Sequence, residues 1–410
     1  MGLFRNADFR NLWAAQTVSL VGTQVTLLAF PLAALLLGGS ALEVSLLAAV
    51  EFAPVLLLGL PAGAWVERMS RRRVLIGADL ARAAALAVVP AAYALDMLSM
   101  PLLYGAAFVI GLATLFFDVA QLSYLPALVA GDELTEGNAK LESSRSLSQL
   151  AGPGLGGGLV QVLTAPVAIV VDAFSYLLSA AFLLRIKRPE PPPAPPEGGL
   201  RQEIAEGLRF VFTHPLLRPI TLAAAAAELA FAAVLALQVV YGVDDLKLSA
   251  GVIGLAIAAG NAGGLIGAML AGRAVDRFGP GPALIAAVAL FSAGAVMLPL
   301  AGEAVMFGAG LFVVYLGVVV FNVIQVTLCQ TATPARLLSR MNATLRFITW
   351  GMVPIGAAAG GVLTGALGVR GVLWAAAAVC ALSIVPPCLP AVRGLRTYPE
   401  PQLTGARDDH

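Results

Sequence analysis

Apolar runs of roughly 20 residues, separated by short polar stretches, follow one another along almost the whole chain. A helix needs about that many residues to cross a bilayer core. Backbone groups in lipid must be hydrogen-bonded within their own segment, so runs of this kind are helices. A membrane barrel would instead show alternating segments of about 10 residues, which the sequence lacks. Twelve spans can be drawn, at about 11–37, 44–66, 74–95, 101–124, 141–163, 167–185, 216–241, 250–272, 282–300, 304–329, 341–366 and 371–390. Composition agrees: 59% of residues are hydrophobic and 12% charged, against about 25% charged in soluble domains. The expectation is an all-α membrane protein.

Basic residues then orient the chain. Arg68, Arg71, Arg72, Arg73, Arg185, Lys187, Arg188, Arg201, Arg209, Arg273, Arg277, Arg336 and Arg340 fall in the loops after spans 2, 6, 8 and 10. The opposite loops hold Lys247 and Arg370. The positive-inside rule places both termini in the cytoplasm, and an even number of spans agrees. The polar start, with Arg5, Asp8 and Arg10, leads into an apolar run too long for a signal peptide, so it reads as a retained first helix.

A proline-rich stretch between spans 6 and 7 divides the chain. It reads as a semi-rigid linker. The following 200–213 alternates charge with Ile204, Leu208, Phe210 and Val211, as in an amphipathic helix lying on a membrane surface or an ordinary solvated loop. The expected organisation is a six-helix bundle over 1–188, a cytoplasmic linker over 189–214, a second bundle over 215–392 and a tail over 393–410. An internal repeat supports two pseudo-symmetric halves. Gly63-Ala64-Trp65-Val66-Glu67-Arg68 follows span 2, and Gly272-Arg273-Ala274-Val275-Asp276-Arg277 follows span 8, the second span of the second half. Parallel repeats of six spans, with a binding site where they meet, are a known plan for membrane carriers.

The first copy, continuing through Ser70, Arg71 and Arg72, resembles the loop signature of the major facilitator superfamily, Gly-x-x-x-Asp-Arg-x-Gly-Arg-Arg. Glu67 stands for the Asp and Ser70 for the second Gly. The later copy keeps Asp276, Arg277 and Gly279 without the trailing arginines. Asn6-Ala7-Asp8-Phe9-Arg10-Asn11-Leu12-Trp13, Glu51-Phe52-Ala53-Pro54, Asp79-Leu80-Ala81-Arg82, Phe117-Asp118, Tyr124-Leu125-Pro126, Asn138-Ala139-Lys140-Leu141-Glu142 and Asp172-Ala173-Phe174-Ser175-Tyr176 look like the enterobactin-exporter and macrolide-efflux branch. Gly152, Pro153, Gly156 and Gly157 in span 5 are similar to the superfamily's antiporter motif. The resemblance implies a secondary active transporter with alternating access that exports small, often amphipathic compounds against inward proton flow, in a cell inner membrane. It also implies that Glu67 caps the start of span 11 and that Arg71 meets Asp118.

Charges inside spans are costly and need a reason. Glu228 lies near the middle of span 7 and Glu51 about 6 Å from the midplane of span 2, at 1.5 Å per residue. Desolvation disfavours a carboxylate, which suits a group that takes up and releases protons. Both are coupling candidates, with structural pairing the alternative. Asp172 in span 6 is a third, with helix packing as its alternative. A second set, Asp79, Arg82, Asp118, Glu142, Arg145 and Arg346, lies toward the inner ends of its spans. With Glu67, Arg68, Arg71 and Arg72 it is a candidate ion-pair network locking one conformation, against plain anchoring by the arginines. Gln16, Thr23 and Gln24 in span 1, Asn261 in span 8, and Tyr315, Asn322 and Gln325 in span 10 are candidates for lining a central cavity, or for hydrogen bonds between helices. A mostly apolar cavity with few polar groups suits amphipathic ligands.

Other chemistry finds little support. The two histidines, His214 and His410, and three scattered cysteines build no catalytic, metal or disulfide site. No phosphate-cradling Gly-x-x-x-x-Gly-Lys-[Ser/Thr] occurs. Net charge of +1 gives no pull toward nucleic acid. The sequence reads as a non-enzymatic monomer with no cofactor and no metal. Its partners are a small-molecule substrate, protons and the bilayer. An uptake carrier of the same fold and a lipid or lysolipid translocase are the alternatives.

Overall fold

The computed structural model describes residues 3–129, 134–188, 200–334 and 337–399. The proline-rich stretch, most of the tail, and the side chains of Gly63, Glu67 and Ile204 lie outside them. The described chain is helical: α1 (Ala7–Leu36), α2 (Ala41–Glu67), α3 (Arg71–Ala94), α4 (Met100–Leu128), α5 (Leu134–Leu163), α6 (Ala165–Leu184), α7 (Leu200–Thr213), α8 (Leu217–Val240), α9 (Ala250–Phe278), α10 (Pro280–Leu300), α11 (Ala304–Thr331), α12 (Leu338–Leu382) and a short α13 (Pro390–Arg393). α8 runs on as a π-helical turn, Tyr241–Asp245.

Among the described residues ten helices are long and apolar enough to cross a membrane. α5 falls short: charges occupy its first half, and Ser, Gln, Gly and Pro dilute the apolar residues of its charge-free stretch over 146–163. α12 counts once, yet it is two helices joined at Gly368, whose φ of 68° breaks the helix. That break sits between the two last expected spans. With α5 and the second leg of α12 over 369–382, the described residues form twelve long helical segments where twelve spans were expected.

Helix starts follow local chemistry. Ser40 and Glu43 form a reciprocal capping box on α2, with Ser40 N donating to Glu43 Oε2 at 2.8 Å and Glu43 N to Ser40 Oγ at 3.3 Å. Asn6 caps α1 by accepting from Asp8 N and Phe9 N. The repeat solves one turn in two ways. Ser70 caps α3 by accepting from Arg73 N at 3.4 Å, while Gly279 uses a φ of 84° to enter α10. Ends are closed by arginines. Arg72 donates from Nε and Nη2 to the carbonyls of Leu183 and Leu184 at 3.0 and 2.6 Å, and Arg188 donates to Leu128 O at 2.8 Å. Basic loop residues thus satisfy carbonyls at helix C-termini.

The chain forms two compact units. The first comprises Met1–Pro196, Leu235–Ala258 and Ala357–Val369. Its core joins Phe30, Leu47, Leu86, Leu103, Ile110, Ile169 and Val240. In it α5 and α9 touch backbone to backbone. A Cβ on Gly157 would overlap Ala250 O, and one on Gly254 would overlap Pro153 O. Ala49, Ala236 and Ala357 form a further small apolar contact.

The second unit comprises Glu197–Val234, Ala259–Gly356 and Arg370–His410. Its core joins Leu217, Ile220, Leu284, Val288, Ile324, Leu328 and Met341. The helix expected over 200–213 forms, and Gly207 and Val211 turn one side of it against protein. Val211 is fully buried in this core, Gly207 lies against Thr344 and the Arg340 carbonyl, and Arg340 is ion-paired with Glu206. His214, packed on Phe210, accepts from the N–H groups of Leu216 and Leu217 at 3.3 and 3.4 Å and so caps α8. Burial pushes its pKa below the usual imidazole value. The cap is therefore present above the ordinary imidazole range and lost as pH falls through the lowered value. His214→Ala is expected to cost about 1 kcal/mol at this helix start. Hydrogen exchange at Leu216 and Leu217 should speed up, and His214→Asn should restore protection.

Candidate functional site

The second unit contains a cavity of about 460 Å³, within the range of small-molecule sites. Helical periodicity builds its walls. α8 turns Ala224, Ala227, Glu228 and Phe231 to one face, α11 does so with Phe321, Asn322, Gln325 and Gln330, and α12 with Asn342, Arg346, Thr349 and Trp350. Phe231 stands edge-on to Tyr315, ring centroids 5.3 Å apart, and to Phe291, 6.4 Å apart. The Arg346 guanidinium lies 4.8 Å over the Trp350 ring. The cavity therefore offers a carboxyl, a guanidinium, four amides (Asn322, Gln325, Gln330 and Asn342), a hydroxyl and aromatic faces. It is more polar than the sequence led us to expect.

Three of the sequence candidates, Glu228, Asn322 and Gln325, meet here. Arg346, grouped from the sequence with the inner-end charges, lines the same cavity. Tyr315 backs Phe231 and packs beside Gly260. Asn261 is half-buried on α9. Gln330, Asn342, Thr349 and Trp350 were not singled out from the sequence. The signal was available in α12, where 342, 346, 349 and 350 share a helical face.

The first unit gathers the other intramembrane charges. Arg82 is paired with Asp79 at 2.5 Å, and both are buried. Ser179 donates to the second Asp79 oxygen at 2.6 Å. Asp172 accepts from Thr26 at 2.5 Å and Ser175 at 2.9 Å. Thr23 shares a 2.8 Å hydrogen bond with Tyr176. Glu51 is half-buried on α2, where α4 approaches its backbone at Gly111. The stem of Gln24 packs beneath Gly152 of the span 5 motif, and Gly156 meets the adjoining α1 backbone, so Pro153 and these glycines serve a tight α1–α5 contact. Gln16 is buried, and its Nε2 has no partner among the described residues.

The loop motifs are placed less centrally. Arg68 is the exposed C-cap of α2, Arg72 caps α6, and Arg71 and Asp118 both have interaction partners. Glu142, Arg145, Gly272, Asp276 and Arg277 are exposed. Among the described residues no group of His, Cys, Asp or Glu has a metal-holding arrangement.

Helices long and apolar enough to cross a membrane, four of them lining a polar cavity in the second unit, are those of a multi-pass membrane protein. The chain belongs to the Major Facilitator Superfamily, whose family model matches residues 12–353 and 243–409. Members are transporters of small molecules, not enzymes. The chain is 32% identical to the multidrug efflux pump Tap of Mycolicibacterium fortuitum over 224 residues, 52% of this chain and 53% of that one. It is 26% identical to macrolide efflux protein A of Streptococcus pyogenes over 182 residues, 44% and 45% of the two chains. It thus spans about half the length of these curated relatives. In fold it is similar to a bacterial homologue of the iron transporter ferroportin in its inward-facing state, with a TM-score of 0.73 at 17% identity, over 96% of this chain and 100% of that one.

Proposed function

We propose that this chain is a proton-coupled exporter of small amphipathic compounds, working by alternating access in a cell inner membrane with both termini cytoplasmic. The observation that carries the reading is the cavity in which Glu228 faces amides and aromatic rings. An acid sharing its surroundings with a ligand site is what exchange of proton for substrate requires, since each then disfavours the other. Relatives that match half of the chain are drug efflux pumps, which favours export.

Topology adds support. With the basic loops inside, Gln330, Asn342 and Arg346 lie at the inner ends of α11 and α12, and the cavity runs from there to Glu228. The close approaches of Gly157 to the Ala250 carbonyl and of Gly361 to the Ser45 side chain lie at the outer ends of their helices. A cavity at the inner ends receives substrate from the cytoplasm or inner leaflet, as an exporter must.

The test is purified protein in liposomes holding a pH-sensitive dye, with an imposed proton gradient and a panel of amphipathic drugs and siderophores. Substrate-dependent proton movement is the expected result. Substrate movement without proton movement would leave a facilitator or lipid translocase and overturn the coupling.

A further inference from the structure

Beyond the cavity, the first unit encloses one buried cation among acids from four helices. Arg82 of α3 is 5% exposed. Its guanidinium is clamped between two rings, 4.3 Å from the centroid of Phe117 on α4 and 4.2 Å from that of Tyr176 on α6. The clamp fixes the plane of the fork, which a lysine would not allow. Asp79 holds one nitrogen, Nη2, at 2.5 Å. The Nε–H is buried and has no hydrogen-bond partner.

Among the described residues, acids on three helices interact electrostatically with this cation. Asp79 comes from α3, Asp118 from α4 and Asp172 from α6, each acting electrostatically on Arg82 or acted on by it. Asp172 in turn acts on Glu51 of α2. α1 contributes hydroxyls, Thr23 and Thr26, and the α5 charges Glu142 and Arg145 are exposed. One guanidinium neutralises one carboxylate, and Asp79 has taken it. A second carboxylate at 1% exposure, as at Asp172, would stand with no cation in hydrogen-bond contact. An uncompensated buried charge is strongly destabilising. Thr26 and Ser175 instead surround Asp172, and a hydroxyl can donate to an anion or accept from an acid. The pocket therefore suits both forms of the carboxyl.

We propose that Asp172 holds a transferable proton, and that Arg82 is the positioning cation that answers its loss. When the carboxylic acid gives its proton to water, the bared carboxylate gains the idle Nε–H of Arg82, and the guanidinium is shared between Asp79 and Asp172. α3 and α6 are then bound by a charged bridge that the protonated state lacks. Use of this site in transport rests on the proton-coupled reading, but its protonation does not.

The test is infrared difference spectroscopy of the full chain in lipid nanodiscs, between acid and alkaline buffer, with isotopically labelled aspartate. The wild type should show an aspartyl carboxylic-acid band that vanishes on alkalinisation, absent in Asp172→Asn and retained in Glu228→Gln. Thr26→Val keeps the acid and removes one hydrogen bond, so it should move the band's frequency. Arg82→Lys should carry the band to higher pH, because the carboxylate loses its matched donor. A band that survives in Asp172→Asn, or disappears instead in Asp118→Asn, overturns the assignment. If the wild type shows the band but no substrate-dependent proton flux, Asp172 stands and the coupled exporter fails.

Discussion

Glu228→Gln protein is expected to bind substrate and exchange it down a gradient, yet to lose uphill transport completely. The amide keeps the shape and most hydrogen bonds of the carboxyl, so the cavity of Phe231, Asn322 and Gln325 should remain. It removes the one group there able to take up and release a proton at moderate pH. Counterflow of labelled substrate should persist in liposomes, while accumulation driven by a proton gradient should fall to the protein-free level. Glu228→Asp should recover part of the driven activity. Loss of counterflow together with driven transport would instead make Glu228 a substrate ligand. Full retention of both would move coupling to Glu51 or Asp172.

Arg82→Met is expected to be the most destabilising single change in the first unit. It leaves Asp79, 0% exposed, as a buried carboxylate without its cation, a situation that costs about 3–5 kcal/mol. The double variant Asp79→Asn, Arg82→Met removes both charges and should recover most of that loss. Stability in detergent, followed by thermal unfolding of the two single variants and the double, separates the outcomes. If the double variant is no more stable than Arg82→Met, the ring contacts of Phe117 and Tyr176 matter more than the charge pair.

Much of this architecture was legible because a bilayer leaves few choices. Run length alone located the helices, and even the break in α12 at Gly368 fell between two expected spans. α5 was harder, since charges in its first half hide the fact that it continues unbroken from Leu134. Side-chain destinations were legible only in part. Periodicity placed Asn322 and Gln325 on one face, but not the α12 face opposite them. The six residues between Asn342 and Thr349 mix polar and apolar types, so the spacing of 342, 346, 349 and 350 marks a shared face without saying which way it turns. Likewise Asp79 and Arg82 read as neighbours at i and i+3, while the rings that clamp Arg82 come from α4 and α6 and leave no trace in local sequence. The cover over α7 was hidden for the same reason: Val211 and Gly207 find their partners far along the chain.

The arginine cap on α6 also has a consequence for assembly. Arg72 and the Leu183 carbonyl it reaches are 111 residues apart. At ribosomal rates of about 5–20 residues per second, roughly 6–22 s separate their synthesis. Through that interval the carbonyl partners of Arg72 on α6 do not yet exist, and only the arrival of α6 completes the fastening. The sixth helix thus secures the turn between α2 and α3 long after both have been made.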